Sequence, residues 1–112
     1  MTDLDITIRG DGMDRTMHLE GTCDLASAPK LRATLLTELR PPNALHVVVD
    51  VSGLEFIDST GLGLLLGALR RLREAGGSLK IAGAQGGVLR VLEITDLDKV
   101  FPLYPDLDSA RS

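Results

Sequence analysis

Between Leu45 and Val51 the chain reads Leu-His-Val-Val-Val-Asp-Val, and a leucine stripe follows after one short turn. That succession constrains the fold more than any other feature. A β-branched run interrupted only by His46 and Asp50 suits a strand covered on both faces rather than one with a wet face. Leu62, Leu65, Leu66, Leu69 and Leu72 recur at three- and four-residue steps, the spacing of one apolar helix face. A doubly buried strand running into such a helix belongs to an α/β arrangement with parallel pairing.

The turn between them is Phe56-Ile57-Asp58-Ser59-Thr60-Gly61. Asp58 is the natural N-cap, which puts the hydroxyls of Ser59 and Thr60 in the first helical turn. Unpaired backbone N–H groups and the positive end of the helix dipole favour an anion or phosphate there. At this level the two hydroxyls are equally available.

Upstream, Leu4, Ile6 and Ile8 alternate with polar residues, Gly10-Asp11-Gly12 has turn chemistry, and Met17, Leu19 and Gly21 continue the alternation. The pattern predicts an antiparallel hairpin. From Asp24 the period changes: Ser27 can cap, Pro29 suits a first turn, and Leu31, Leu35, Leu36 and Leu39 are helically spaced up to Pro41-Pro42-Asn43. Downstream, Ala75-Gly76-Gly77 closes the second helix, and Leu79-Lys80-Ile81-Ala82 forms a strand ended by Gly83. A third helix covers Val88 to Ile94, with Val88, Val91, Leu92 and Leu89 as its inward candidates. Val100, Phe101 and Leu103 make a short last strand, and a polar tail starts at about Pro105. The 112 residues suffice for one domain and not two. The expected fold is a mixed, mostly parallel sheet of about four to five strands with about three to four α-helices mainly on one face.

Composition removes several functions. The net charge is −4 and the aromatics are Phe56, Phe101 and Tyr104, so neither a phosphate-backbone binder nor a base-stacking platform is expected. No apolar stretch nears the roughly 20 residues of a membrane span. The N-terminus shows no basic block followed by an apolar one, and Cys23 is the single cysteine; a cytoplasmic protein without membrane insertion is expected.

Catalysis has no visible machinery. A nucleophilic Ser59 needs a base, yet His18 lies in the hairpin and His46 at the far end of the central strand. One Cys and two separated His give no metal-ligand spacing, and no cofactor motif is present; Gly61, Gly63 and Gly67 match neither a dinucleotide nor a phosphate-loop pattern. Gly63 and Gly67 could let the helix pack closely on the sheet or leave a shallow surface for a partner. Arg70, Arg71 and Arg73 suit a solvated helix face, and Cys23 suits a small buried apolar position.

Ile57-Asp58-Ser59-Thr60-Gly61-Leu62-Gly63, behind the Val-rich strand and Gly53-Leu54, resembles the signature of the STAS domain, specifically of bacterial anti-sigma factor antagonists. Gly21-Thr22-Cys23-Asp24 resembles the Gly-Glu-Leu-Asp that precedes the first helix in that family, departing at Thr22 and Cys23. Thr95 to Phe101 resembles its loop into the final strand. The resemblance covers nearly the whole chain and implies the STAS fold. It further implies a partner switch without catalysis of its own. The unmodified protein would bind an anti-sigma factor serine kinase and free a sigma factor, phosphorylation at Ser59 (with Thr60 as second choice) would break the complex, and a metal-dependent serine phosphatase would restore it. ATP and Mg²⁺ would belong to the kinase. Asp24, Asp58, Ser59, Thr60, Gly61, Leu62 and Gly63 would form the docking surface, and the free protein would be a monomer. A soluble subunit of a membrane transporter and a stress-signalling scaffold component are the alternative roles.

Overall fold

The computed structural model describes residues 3–39 and 44–111. Five strands form one sheet in the order β1-β2-β3-β4-β5: Leu4–Arg9, Asp14–Cys23, His46–Ile57, Ser78–Ala82 and Leu103–Tyr104. β1 and β2 are the antiparallel hairpin, and every further pairing is parallel. Between the parallel strands run α1 (Ala28–Thr37), α2 (Ser59–Glu74) and α3 (Gly86–Ile94), with a 3-10 turn at Leu97–Lys99 before β5. The sheet is mixed and mostly parallel, as the sequence pattern requires.

One core lies beneath these three helices. Met17 and Leu19 of β2, Val47, Val49 and Val51 of β3, and Leu79 and Ile81 of β4 point into it, because alternate residues of a strand share a face. Leu31 and Leu35 of α1, Leu62, Leu65, Leu69 and Leu72 of α2, and Val88 and Leu92 of α3 meet them. Val48, between two core valines, faces the other way and is buried too. Its cover is α4 (Leu107–Arg111), which packs Ala110 and Leu107 with Tyr104 against Val48 and Ala82. The segment expected to trail off as a polar tail thus contains a helix, and the doubly buried run has its explanation.

Two other boundaries differ from expectation. β3 continues past Val51 through Gly53 to Ile57, because β2 is long enough to pair with it from Asp14↔His46 to Cys23↔Ile57, with register shifts at His18/Glu20 and Gly21/Thr22. At the other end, Val100 and Phe101 precede β5 instead of starting it. Phe101 is a core residue reached from the 3-10 turn, and only Leu103 and Tyr104 pair with β4. The stop at Pro41-Pro42-Asn43 lies outside the described residues. No described helix is long and apolar enough to cross a membrane.

Candidate functional site

Parallel pairing of β2 with β3 brings two chain reversals side by side at the carboxyl ends of the strands. Cys23 is in register with Ile57, so the next residues, Asp24 and Asp58, are neighbours although far apart in sequence. The Asp58 backbone N–H donates to the Cys23 carbonyl at 3.1 Å, tying the two corners together.

At the β3–α2 corner, Asp58 is extended at φ −109° and ψ −176°, and its Oδ1 accepts from the backbone N–H of Thr60 at 3.0 Å and of Gly61 at 3.1 Å. This is the N-cap expected from the sequence. It also changes the anion argument, because Asp58 already occupies two of the free N–H groups at the helix start. Ser59, first residue of α2, is exposed, whereas Thr60 is half-buried. The two hydroxyls, equivalent in the sequence, are not equivalent in space.

At the β2–α1 corner, Asp24 Oδ1 accepts from the Ser27 backbone N–H at 3.1 Å. Ser27 precedes α1 as expected, but its hydroxyl does not cap the helix. It is buried, donates to the Thr22 carbonyl at 2.9 Å and accepts from the Asp24 N–H at 2.9 Å, closing the turn on itself.

Between the corners lies Cys23, fully buried. A Cβ on Gly61 would come within 2.5 Å of its Sγ and 3.0 Å of Ile57 Cγ1, so only glycine lets the first turn of α2 approach the end of β2 this closely. Burial pushes the Cys23 thiol up to about 11, and the carboxylates of Asp58 and then Asp24 add to the shift. The residue is a neutral packing element at physiological pH.

The remaining expected residues separate into surface and support. Gly61 and Leu62 are buried and shape the corner from beneath. Gly63 is exposed, and a Cβ there would meet nothing within 4 Å; at Gly67 it would meet only Arg71 Nη1 at 3.4 Å. Neither glycine serves close packing on the sheet. Both border a shallow groove between α1 and α2 with Leu36, Leu64, Arg32 and Arg71. Two large apolar side chains that sequence reasoning passed over lie at the same end of the sheet: Leu25, 73% exposed just after Asp24, and Phe56, 48% exposed on β3. An apolar residue beside a strand end was their only signal.

Neither histidine serves Ser59. His18 Nδ1 lies 2.8 Å from Asp50 Oδ2 on the face opposite α1, α2 and α3, and His46 Nδ1 lies 2.8 Å from Ser78 Oγ at the opposite end of β3. The Ser52 hydroxyl beside His18 donates to Asp50 at 2.7 Å rather than to the imidazole, the wrong order for a nucleophile relay. Burial raises the Asp50 carboxyl, but the hydrogen bonds from Ser52 and His18 outweigh it and hold the group below the ordinary aspartate range.

Fold and site together define a small α/β domain with an exposed, acid-flanked serine at the carboxyl ends of parallel strands. The STAS domain family model matches residues 5–110, and the chain belongs to the STAS family. Among curated relatives, the anti-sigma-B factor antagonist of Bacillus subtilis is 28% identical over 102 residues, covering 90% of this chain and 91% of that protein. Among solved structures, an anti-sigma factor antagonist from Mycobacterium paratuberculosis superposes with a TM-score of 0.82 at 28% identity, covering 97% of this chain and 92% of that one. The anti-sigma factor antagonist SpoIIAA in its unphosphorylated form shares the fold, with a TM-score of 0.65 at 19% identity over 92% of this chain and 89% of its own.

Proposed function

We propose that this chain is an anti-sigma factor antagonist whose unphosphorylated form binds an anti-sigma factor serine kinase, freeing a sigma factor, and whose phosphorylation at Ser59 switches that binding off. The observation that carries the proposal is the contrast at the β3–α2 corner: Ser59 is open to a kinase while Thr60 is half-buried. The antagonist relatives supply the partner class. A metal-dependent serine phosphatase resets the switch, and the domain acts as a monomer with no catalysis of its own. Asp24, Asp58, Ser59, Thr60 and Gly63 form the contact surface with Leu25 and Phe56, and Gly61 and Leu62 support it from below.

The physics of the switch is local. A phosphoryl group adds about −1.5 to −2 charge at neutral pH. On the free protein it extends into water from Ser59, and the dipole of α2 offsets part of its repulsion from Asp58 and Asp24. Under a docked partner the same dianion loses water beside two carboxylates, which costs several kcal/mol. About 4 kcal/mol weakens binding roughly a thousandfold. The fold persists while the complex does not.

Incubation with the cognate kinase and ATP, followed by mass spectrometry, tests the assignment. One phosphate on Ser59 of the wild type and none on Ser59→Ala is the expected result; phosphate on Thr60 alone overturns it. Ser59→Asp should keep the wild-type circular dichroism and lose partner binding, and loss of fold in that variant would refute the local mechanism.

A further inference from the structure

At the opposite end of the sheet, by the amino ends of the parallel strands, a cavity of about 530 Å³ opens beside α4. Its size falls within the roughly 300–1,000 Å³ of small-molecule sites. Val48 and Ala110 give it an apolar floor, and Arg15, Lys80 and Arg111 also line it. In a chain of net charge −4, three cations around one concavity run against the overall balance.

Each cation is held by a neutral group. Lys80 Nζ donates to the Ala110 carbonyl at 3.0 Å and lies 5.1 Å from the centre of the Tyr104 ring. Arg111 Nη2 donates to Thr16 Oγ1 at 3.0 Å, and Thr16 is only 6% exposed. Arg15 donates to the Gly12 carbonyl and, at 3.2 Å, to that of Asp14. Among the described residues, none of the three forms an ion pair with a carboxylate. Cations fixed in place by neutral groups keep charge to offer, and an oxyanion placed among them gains charge-assisted hydrogen bonds with little ordering cost. The paired Ser78 hydroxyl and His46 ring add further polar groups on the same wall.

The rim is acidic where the hairpin turn contributes Asp11 and Asp14. Among the described lining residues, three cations against two carboxylates leave a modest positive excess, which disfavours a long polyanion and suits one anionic head. We propose that this cavity binds a metabolite-sized organic oxyanion, its phosphate or carboxylate head among Lys80, Arg111 and Arg15 and its hydroxyl or amine groups toward Asp11 and Asp14. The site is separate from the Ser59 corner and does not depend on the proposed switch.

Amide chemical-shift titration of the unphosphorylated protein with inorganic phosphate, and in a parallel arm with succinate, tests the proposal. Saturable shifts in the low millimolar range, centred on residues 14–16, 78–80 and 110–111 in either arm, are expected, and the responsive arm identifies the head group. Lys80→Met should weaken the binding about tenfold, roughly 1.4 kcal/mol. Arg111→Gln, at an exposed position, should do the same if Lys80→Met loosens α4, and Arg70→Gln on the outer face of α2 should leave the affinity unchanged. Absence of saturation in both arms overturns the proposal. So do shifts confined to residues 58–61, or equal affinity in wild type, Lys80→Met and Arg111→Gln.

Discussion

Ser27 and Ser59 stand at the starts of neighbouring helices, each near an aspartate that directly follows a strand, yet the two corners use serine in opposite ways. Asp24 and Asp58 do the same work, each accepting backbone N–H groups of the following turn through Oδ1. At the first corner the serine hydroxyl is buried and occupied by Thr22 and Asp24. At the second the aspartate satisfies the backbone alone, and the serine faces water. The lesson is that a hydroxyl becomes available for chemistry when another side chain has taken over its structural task. Capping by Asp58 is what makes Ser59 expendable to the fold.

The largest effect should come from the contact on which the second corner is built. Gly61→Val forces branched carbon into Cys23 and Ile57, and should destabilise the protein by about 3 kcal/mol in urea unfolding. Adding Cys23→Ala should recover part of that loss; an undiminished penalty in the double variant would place the strain elsewhere.

Alkaline titration probes the same contact without a mutation. The folded Cys23 value, about 11, lies above the ordinary thiol value of 9.0, so the stability tied to the neutral thiol is complete below about pH 9 and falls as the pH rises toward 11. About two units correspond to roughly 2–3 kcal/mol. Denaturant midpoints measured across that window should drop more for the wild type than for Cys23→Ala, and equal slopes would mean that the thiol is not sheltered.

The serines test the comparison directly. Ser27→Ala removes the side-chain acceptor of the Asp24 N–H in a half-buried turn, at a cost of about 1–2 kcal/mol. Ser59→Ala should stay within about 0.5 kcal/mol of wild type. Thermal unfolding of the pair suffices, and equal losses would erase the distinction between the corners.

Replacing the two aspartates should cost no more than Ser27→Ala. Asp58→Ala should lose about 1 kcal/mol, as other N-cap deletions do, and Asp24→Ala, which removes the side-chain acceptor of the Ser27 N–H in the turn before α1, about as much. Amide exchange should show the Asp58 variant fraying at Thr60 and Gly61 and the Asp24 variant fraying at Ser27. Fraying at the other corner in either case would show that the Asp58–Cys23 backbone bond couples them.

Much of this architecture was legible in short-range spacing. Alternation predicted the hairpin, the valine run predicted a strand covered on both faces, and Asp58 before a leucine stripe located the start of α2 to the residue. Other features escaped for definite reasons. The valine run reads as a strand ending at Val51, yet pairing with the long β2 carries β3 to Ile57. Residues after Pro105 are mostly polar, and Leu107 and Ala110 gain their meaning only when laid on Val48 and Ala82. Gly63 and Gly67 share a helix face whose neighbour, α1, no local pattern could name. At the candidate site, the acidic corner and its two hydroxyls were visible, whereas the exposure that separates Ser59 from Thr60 and the burial of Gly61 were not.

By itself, the sequence determined the order and type of the main elements, because periodicity, capping and turn chemistry act over a few residues. Tertiary structure decided which groups meet across that order. It set Asp24 beside Asp58, pressed Gly61 onto Cys23, left Ser59 open, and brought Arg111 to Thr16 across 95 positions of chain. Such encounters depend on strand register and on which face each helix covers, and those follow from the collective burial of the core.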